Sequence, residues 1–156
     1  MKVVTPNTLI KIKRSLVKKK FVFTNGCFDL LHVGHIRYLK KAKSLGDILV
    51  VGLNSDRSVQ LIKGPNRPII SQDERVEVLS ALEMVDYIIM FDNPSPLELI
   101  KRVRPDILVK GEDWKEENII GGKEVKEYGG KVVRVKFTKP NSTSEIIERI
   151  IRRNGE

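Results

Sequence analysis

A chain of 156 residues, 40% hydrophobic and 31% charged, can bury one continuous core and is short for two. Its formal charge of +9 comes with 6% aromatic residues, and residues 1–28 hold seven Lys and Arg with no acid, so the rest is nearly balanced and a nucleic-acid binder is not expected. Cys27 is the only cysteine, which excludes an internal disulfide or a cysteine metal cluster, and the lack of a long apolar run predicts no membrane span, no secretory signal and a cytoplasmic location.

Thr5-Pro6 reads as an N-cap followed by proline in the first helical turn, and Leu9, Ile12, Leu16 and Val17 form an apolar stripe. Residues 1–19 are therefore expected to be an amphipathic helix, ahead of a core over 20–153. Residues 21–24 read as a short apolar strand stopped by Asn25-Gly26. Residues 36–45 have helical periodicity, with Gly46 as the left-handed residue that closes the helix. A second strand follows over 47–54, a helix over 73–82, a strand over 87–91 and a helix over 96–103 ended by Pro105. The alternation continues with a strand over 106–110, a short helix over 123–128, a strand over 131–137 and a last helix over 144–153. Strands and helices in this order predict an α/β fold, a Rossmann-like five-stranded parallel sheet with helices on both faces, in one domain. Ligands then belong beyond the carboxyl ends of the strands. The irregular stretches 63–71 and 111–122 are candidate loops for that role.

The strongest signal is Thr24-Asn-Gly-Cys-Phe-Asp-Leu-Leu-His-Val-Gly-His35, where the first strand gives way to a helix. His32 and His35 are the only histidines in the chain, and three residues apart they share a face of the first helical turn. Free N–H groups and the positive dipole end there favour phosphate. Gly34 between them lets a phosphate chain approach the backbone. A metal-binding pair or two structural histidines are the alternatives, and the clustering at a helix start favours function. Asn141-Ser-Thr-Ser144 opens the last helix in the same manner, as caps and as hydroxyl donors to phosphate.

The segment G-C-F-D-L-L-H-V-G-H resembles the G-x-F-D-x-x-H-x-G-H motif of the cytidylyltransferase-like nucleotidyltransferases. The likeness extends over nearly all of residues 20–151. Within that family L-I-K-G-P-N-R-P-I, A-L-E-M-V-D-Y and P-D-I-L-V-K-G-E-D-W are similar to the branch that adenylylates D-glycero-β-D-manno-heptose 1-phosphate. The glycerol 3-phosphate cytidylyltransferases have an Arg-Thr pair where Phe137-Thr138 stands here, which argues for ATP over CTP. Ser144 replaces the usual Thr of the S-T-T motif, and Glu112 replaces a common Gly.

The resemblance implies direct attack of an acceptor phosphate on the nucleotide α-phosphorus, with pyrophosphate leaving and no protein nucleophile. It implies catalytic roles for His32, His35 and Lys63. Nucleotide binding falls to Asn25, Gly26, Cys27, Phe28, Gly34 and His35, to Arg75, to Lys110, Gly111, Asp113 and Trp114, and to Ser142, Thr143 and Ser144. Acceptor binding falls to Asp29, Asn54, Asp56 and Arg67. ATP with Mg²⁺, a phosphorylated small-molecule acceptor and a homo-oligomer are expected, with no protein metal ligands, no nucleic acid and no membrane. CTP with glycerol 3-phosphate, ATP with FMN, and a nucleotide-binding regulator without turnover are the alternatives.

Overall fold

The computed structural model describes residues 2–136 and 142–155. The elements are α1 (Pro6–Ser15), β1 (Phe21–Gly26), α2 (Val33–Lys43), β2 (Ile48–Asn54), α3 (Asp56–Lys63), α4 (Gln72–Ala81) and β3 (Tyr87–Phe91). They continue as α5 (Leu97–Val103), β4 (Ile107–Gly111), a single 3₁₀ turn (Glu116–Asn118), α6 (Gly122–Glu127), β5 (Lys131–Val135) and α7 (Thr143–Asn154). The five strands form one parallel sheet in the order β3-β2-β1-β4-β5.

Alternation along the strands divides the core into two layers. Val22, Leu49, Val51, Leu53, Ile88 and Val109 pack on one face against Tyr38, Leu39 and Ala42 of α2 and Leu79 of α4. Phe21, Phe23, Val50, Ile89 and Leu108 pack on the other against Leu9 of α1, Leu99, Ile100 and Val103 of α5 and Val125 of α6. Both faces are covered, as the near-continuous apolar strands require.

Three expectations change in detail. Thr5 does cap α1, accepting from Thr8 N at 3.2 Å, but the helix stops at Ser15 and leaves Val17 82% exposed, outside the stripe. Gly46 is not a left-handed helix end. It lies in the connection to β2, where an added Cβ would stand 2.7 Å from Val22 Cγ2 and 2.9 Å from the Lys20 carbonyl, so the glycine is needed for close approach. An eight-residue helix, α3, occupies the segment between the second strand and the 63–71 stretch, to which the sequence pattern assigns no element. Ser55 caps it by accepting from Ser58 N. Val3 also pairs in parallel with Ile88, a short addition that covers the β3 edge. The fifth strand ends at Val135, and Phe137 to Asn141 lie outside the described residues.

The connections from β1 run to β2 on one side and, by way of β3 and α5, to β4 on the other, so β1 and β4 meet at the topological switch point. Their ladder covers only Val22↔Ile107 and Phe23↔Leu108. Beyond it the buried Tyr38 hydroxyl bridges the two strands. It stands 2.7 Å from Thr24 Oγ1 and donates to the Val109 carbonyl at 3.1 Å.

Candidate active site

At the end of β1 the chain turns through Phe28, whose φ of 43° places a bulky residue in the left-handed region at a cost of order 1–3 kcal/mol. The Phe28 ring folds back over Gly26, where an added Cβ would stand 3.1 Å from Phe28 Cε2. The same turn buries Asp29. Its carboxylate accepts from Arg67 Nε at 2.7 Å and from the Ile69 and Ile70 N–H groups at 2.9 and 3.0 Å. Burial alone would raise the Asp29 pKa, but the N–H groups of Ile70 and Ile69 and the Arg67 guanidinium outweigh it and hold the carboxyl below its usual range. Asp29 and Arg67, expected to hold the acceptor, are thus engaged with each other. They pin the loop over 64–71, in which the Arg67–Pro68 bond is cis.

His32 and His35 come together at the start of α2. His32 is the N-cap and His35 the third helical residue, and they form a reciprocal capping box: Gly34 N donates to His32 Nδ1 at 3.1 Å, and His32 N faces His35 Nδ1 at 3.4 Å. An Nδ1 that accepts must carry the ring proton on Nε2, so the caps set both tautomers. The rings lie 4.0 Å apart, and Phe28 flanks His35 at 5.5 Å. Burial first, and then the neighbouring His32, push the His35 pKa down to about 4. Burial also lowers His32, with Glu145 acting in the opposite direction. Both imidazoles are neutral N–H donors near pH 7.

Arg75 is not exposed to phosphate. The residue is 1% exposed and its guanidinium makes four hydrogen bonds. It donates to the carbonyls of Cys27, Asn54 and Ile70 at 2.5, 2.9 and 3.2 Å, and to Asp56 Oδ1 at 2.8 Å. Arg75 is a buried tie that joins the ends of β1 and β2, the start of α3 and the 64–71 loop. Asn54 and Asp56 belong to the same scaffold. Asn54 is buried with its Nδ2 donating to Ser58 Oγ at 2.8 Å, and the Asp56 carboxylate pairs with Arg75. Lys63 is the last residue of α3, before Gly64 at φ 97°, not a loop residue. Its charge is felt at Cys27, just past β1: burial raises the Cys27 thiol pKa, and Lys63, Arg75 and Arg67 are the cations that oppose it.

The start of α7 lies beside the histidine loop. Ser142 caps the helix, accepting from Glu145 N at 3.1 Å, and Thr143 Oγ1 donates to the Leu30 carbonyl at 3.3 Å. Ser144 is exposed in the same turn. Two helix N-termini, α2 and α7, therefore converge on one loop. On the other side of the crevice, Lys110 and Gly111 end β4, and Lys110 Nζ lies 5.8 Å from the centroid of Trp114. Burial pushes Lys110 down to about 8, against the pull of Asp113 and then Cys27. Trp114 is 44% exposed, so core packing does not explain it. An open groove lined by Phe91, Asn93, Ser95 and Arg102 lies beyond β3 and contains neither histidine.

Sequence reasoning missed Tyr38, whose hydroxyl separates β1 from β4, and Ser58, which orders Asn54 and donates to the Asn93 carbonyl. Tyr38 looked like an ordinary helix residue, Ser58 lay in a segment assigned to no element, and a hydroxyl on a buried face was the signal available for Tyr38. Among the described residues no three His, Cys, Asp or Glu side chains gather as metal ligands.

The profile of the cytidylyltransferase-like family matches residues 23–149, a span that runs from within β1 through β5 and includes the histidine loop. The chain belongs to the cytidylyltransferase-like family. Membership makes it a nucleotidyltransferase. This cytidylyltransferase-like chain is 56% identical over 135 residues to the bifunctional protein HldE of Syntrophotalea carbinolica, and 54% identical over 138 residues to that of Geobacter metallireducens. These matches cover 86% and 88% of this chain, which spans 28% of the length of each relative. Among solved structures it is similar to a lipopolysaccharide core biosynthesis protein from Thermoplasma volcanium, at TM-score 0.64 and 33% identity over 79% of this chain and 99% of that one. Pantoate-β-alanine ligase from Francisella tularensis shares the fold at TM-score 0.62 and 19% identity, over 92% of this chain and 69% of the ligase.

Proposed function

We propose that this chain transfers the adenylyl group of ATP to a sugar 1-phosphate, D-glycero-β-D-manno-heptose 1-phosphate, forming ADP-heptose and pyrophosphate. The observation that carries the reading is the pair of neutral, Nε2-protonated imidazoles fixed at the α2 N-terminus and faced by the α7 N-terminus. Identity above half to the bifunctional HldE proteins and the resemblance to the heptose branch supply the acceptor.

In this reading a phosphate oxygen of the acceptor attacks the α-phosphorus, and the bond from that phosphorus to the bridging oxygen breaks. Pyrophosphate leaves with the electron pair. Charge grows on phosphate oxygens, so catalysis comes from donors already aimed at them. His32 and His35 donate to the α-phosphate and the bridging oxygen. The α7 start, with Ser142, Thr143 and Ser144, receives the β- and γ-phosphates. Lys63 neutralises the incoming phosphate, and Trp114 and Asp113 close over base and ribose. Cys27, Phe28, Gly26 and Gly34 shape the backbone on which the phosphates rest. Asp29, Arg67, Arg75, Asn54 and Asp56 act through the scaffold.

Mg²⁺ is proposed to arrive on the triphosphate and to offset its charge. The Asp29 and Asp56 carboxylates are engaged by arginines, and the Glu145 carboxylate near His32 accepts from Ser142 N in the α7 cap. A cytoplasmic homo-oligomer completes the proposal; no helix of the described residues is long and apolar enough to cross a membrane.

Pyrophosphate release tests it, with ATP plus heptose 1-phosphate set against CTP plus glycerol 3-phosphate. Release confined to the first pair is expected. Release confined to the second would replace both donor and acceptor.

A further inference from the structure

Asn25 is a polar residue at the most constrained point of the sheet. It lies on the face of β1 that carries Phe21 and Phe23, opposite Gly52 of β2. An added Cβ on Gly52 would stand 2.7 Å from Phe23 Cζ and 3.2 Å from Asn25 Cβ. Its Oδ1 is buried without a hydrogen-bond partner, the only such side-chain atom among the described residues. Buried polar atoms are nearly always paired, so an orphan of this kind points to a partner that binds.

On the other side of Asn25 the β1–β4 ladder has ended. Lys110 stands two residues beyond Leu108, as Asn25 stands two beyond Phe23, the partner of Leu108, so strand alternation puts each on the face of the residue it follows. Tyr38 closes the opposite face of this opening through its bonds to Thr24 and Val109. The crevice is therefore bordered by an unsatisfied acceptor on one strand and an ammonium on the next.

We propose that Asn25 and Lys110 form the recognition edge for the phosphorylated acceptor, with Asn25 Oδ1 accepting from the hydroxyl next to the phosphate and Lys110 holding the phosphate. The inference rests on the reading above and deepens it, moving both residues from nucleotide to acceptor. A sugar 1-phosphate presents this pair of groups on adjacent carbons. Geometry favours the acceptor over the ribose. The histidines belong to α2, which packs on the opposite face of the sheet, and in-line displacement needs the attacking phosphate on the side away from the leaving pyrophosphate. Lys110 suits the role because its burial favours pairing with an anion, and Asp113 and Cys27 are the groups that oppose its loss of charge.

The test compares wild type with Asn25→Ala, Asn25→Ser and Lys110→Met. Three readouts are taken: steady-state constants for each substrate, ATP affinity by Trp114 fluorescence, and affinity for heptose 1-phosphate by calorimetry. The acceptor KM and Kd should rise by about tenfold or more in the Asn25 variants, the loss of one hydrogen bond to a charged or polar ligand, with ATP affinity within about twofold of wild type. An acceptor lacking the neighbouring hydroxyl should cost the wild type that same factor and the Asn25 variants nothing further. Weakened ATP binding with unchanged acceptor constants would give Asn25 to the nucleotide and overturn the proposal. Unchanged constants for both substrates would also overturn it, leaving Asn25 paired with water. Should wild type release no pyrophosphate, the reading of the reaction fails, and the calorimetric arm still decides whether Asn25 and Lys110 bind a sugar phosphate.

Discussion

The imidazoles of His32 and His35 lie with ring centroids 4.0 Å apart, each serving as a backbone cap and as a member of the candidate catalytic pair. The capping bonds use the Nδ1 atoms and leave protons on Nε2. Substituting either histidine by alanine should lower kcat by on the order of 10²- to 10³-fold, the usual cost of one transition-state donor. Measurement of kcat alongside thermal melting separates this from loss of the cap. Turnover retained in both His32→Ala and His35→Ala would remove the pair from the mechanism.

The His35 pKa of about 4 links activity and stability to pH. Between the ordinary histidine value and about 4, the unfolded chain binds a proton that the folded chain does not, so stability falls as pH drops through this window and levels off below it. His35→Gln should flatten that part of a stability-against-pH curve. Adding ATP places negative charge beside the ring and should raise the His35 pKa, read by NMR titration of the imidazole protons. A pKa unmoved by ATP would place the phosphates elsewhere.

Arg75→Ala leaves the carbonyls of Cys27, Asn54 and Ile70 and the Asp56 carboxylate without their donor. A loss of about 3 kcal/mol in urea unfolding is expected, together with lower activity. A variant as stable as wild type and defective only in ATP binding would restore the direct phosphate contact.

Asp29→Ala releases Arg67 and the N–H groups of Ile69 and Ile70. Limited proteolysis should then cut between Gly64 and Ser71 well before the rest of the chain, and the KM for the acceptor should rise. A loop as resistant as in wild type would show that Asp29 does not hold it.

Much of this architecture was legible in the sequence, because buried strands such as Phe21–Thr24 and Leu49–Leu53 are continuous apolar runs between turn residues. The histidine motif was legible because a helix start and two histidines coincide. The α3 helix was not: it is short, and Ser55-Asp56 reads equally well as the end of a strand turning into a loop. The burial of Arg75 was invisible for a different reason, since its partners are mainly backbone carbonyls contributed by distant segments, and no pattern around residue 75 encodes them. The capping role of His32 was also hidden, because histidine is an uncommon N-cap. The orphan oxygen of Asn25 required the strand register before it had any meaning.

Transfer of label from ATP radiolabelled in its α-phosphate tests direct adenylyl transfer most closely. In a single turnover with excess enzyme and heptose 1-phosphate, the label should pass wholly into a nucleoside diphosphate sugar, none should remain on the denatured protein, and His35→Ala should slow the transfer. Label retained on the protein, or none moving to the sugar phosphate while ATP is bound, would contradict direct displacement at the histidine pair.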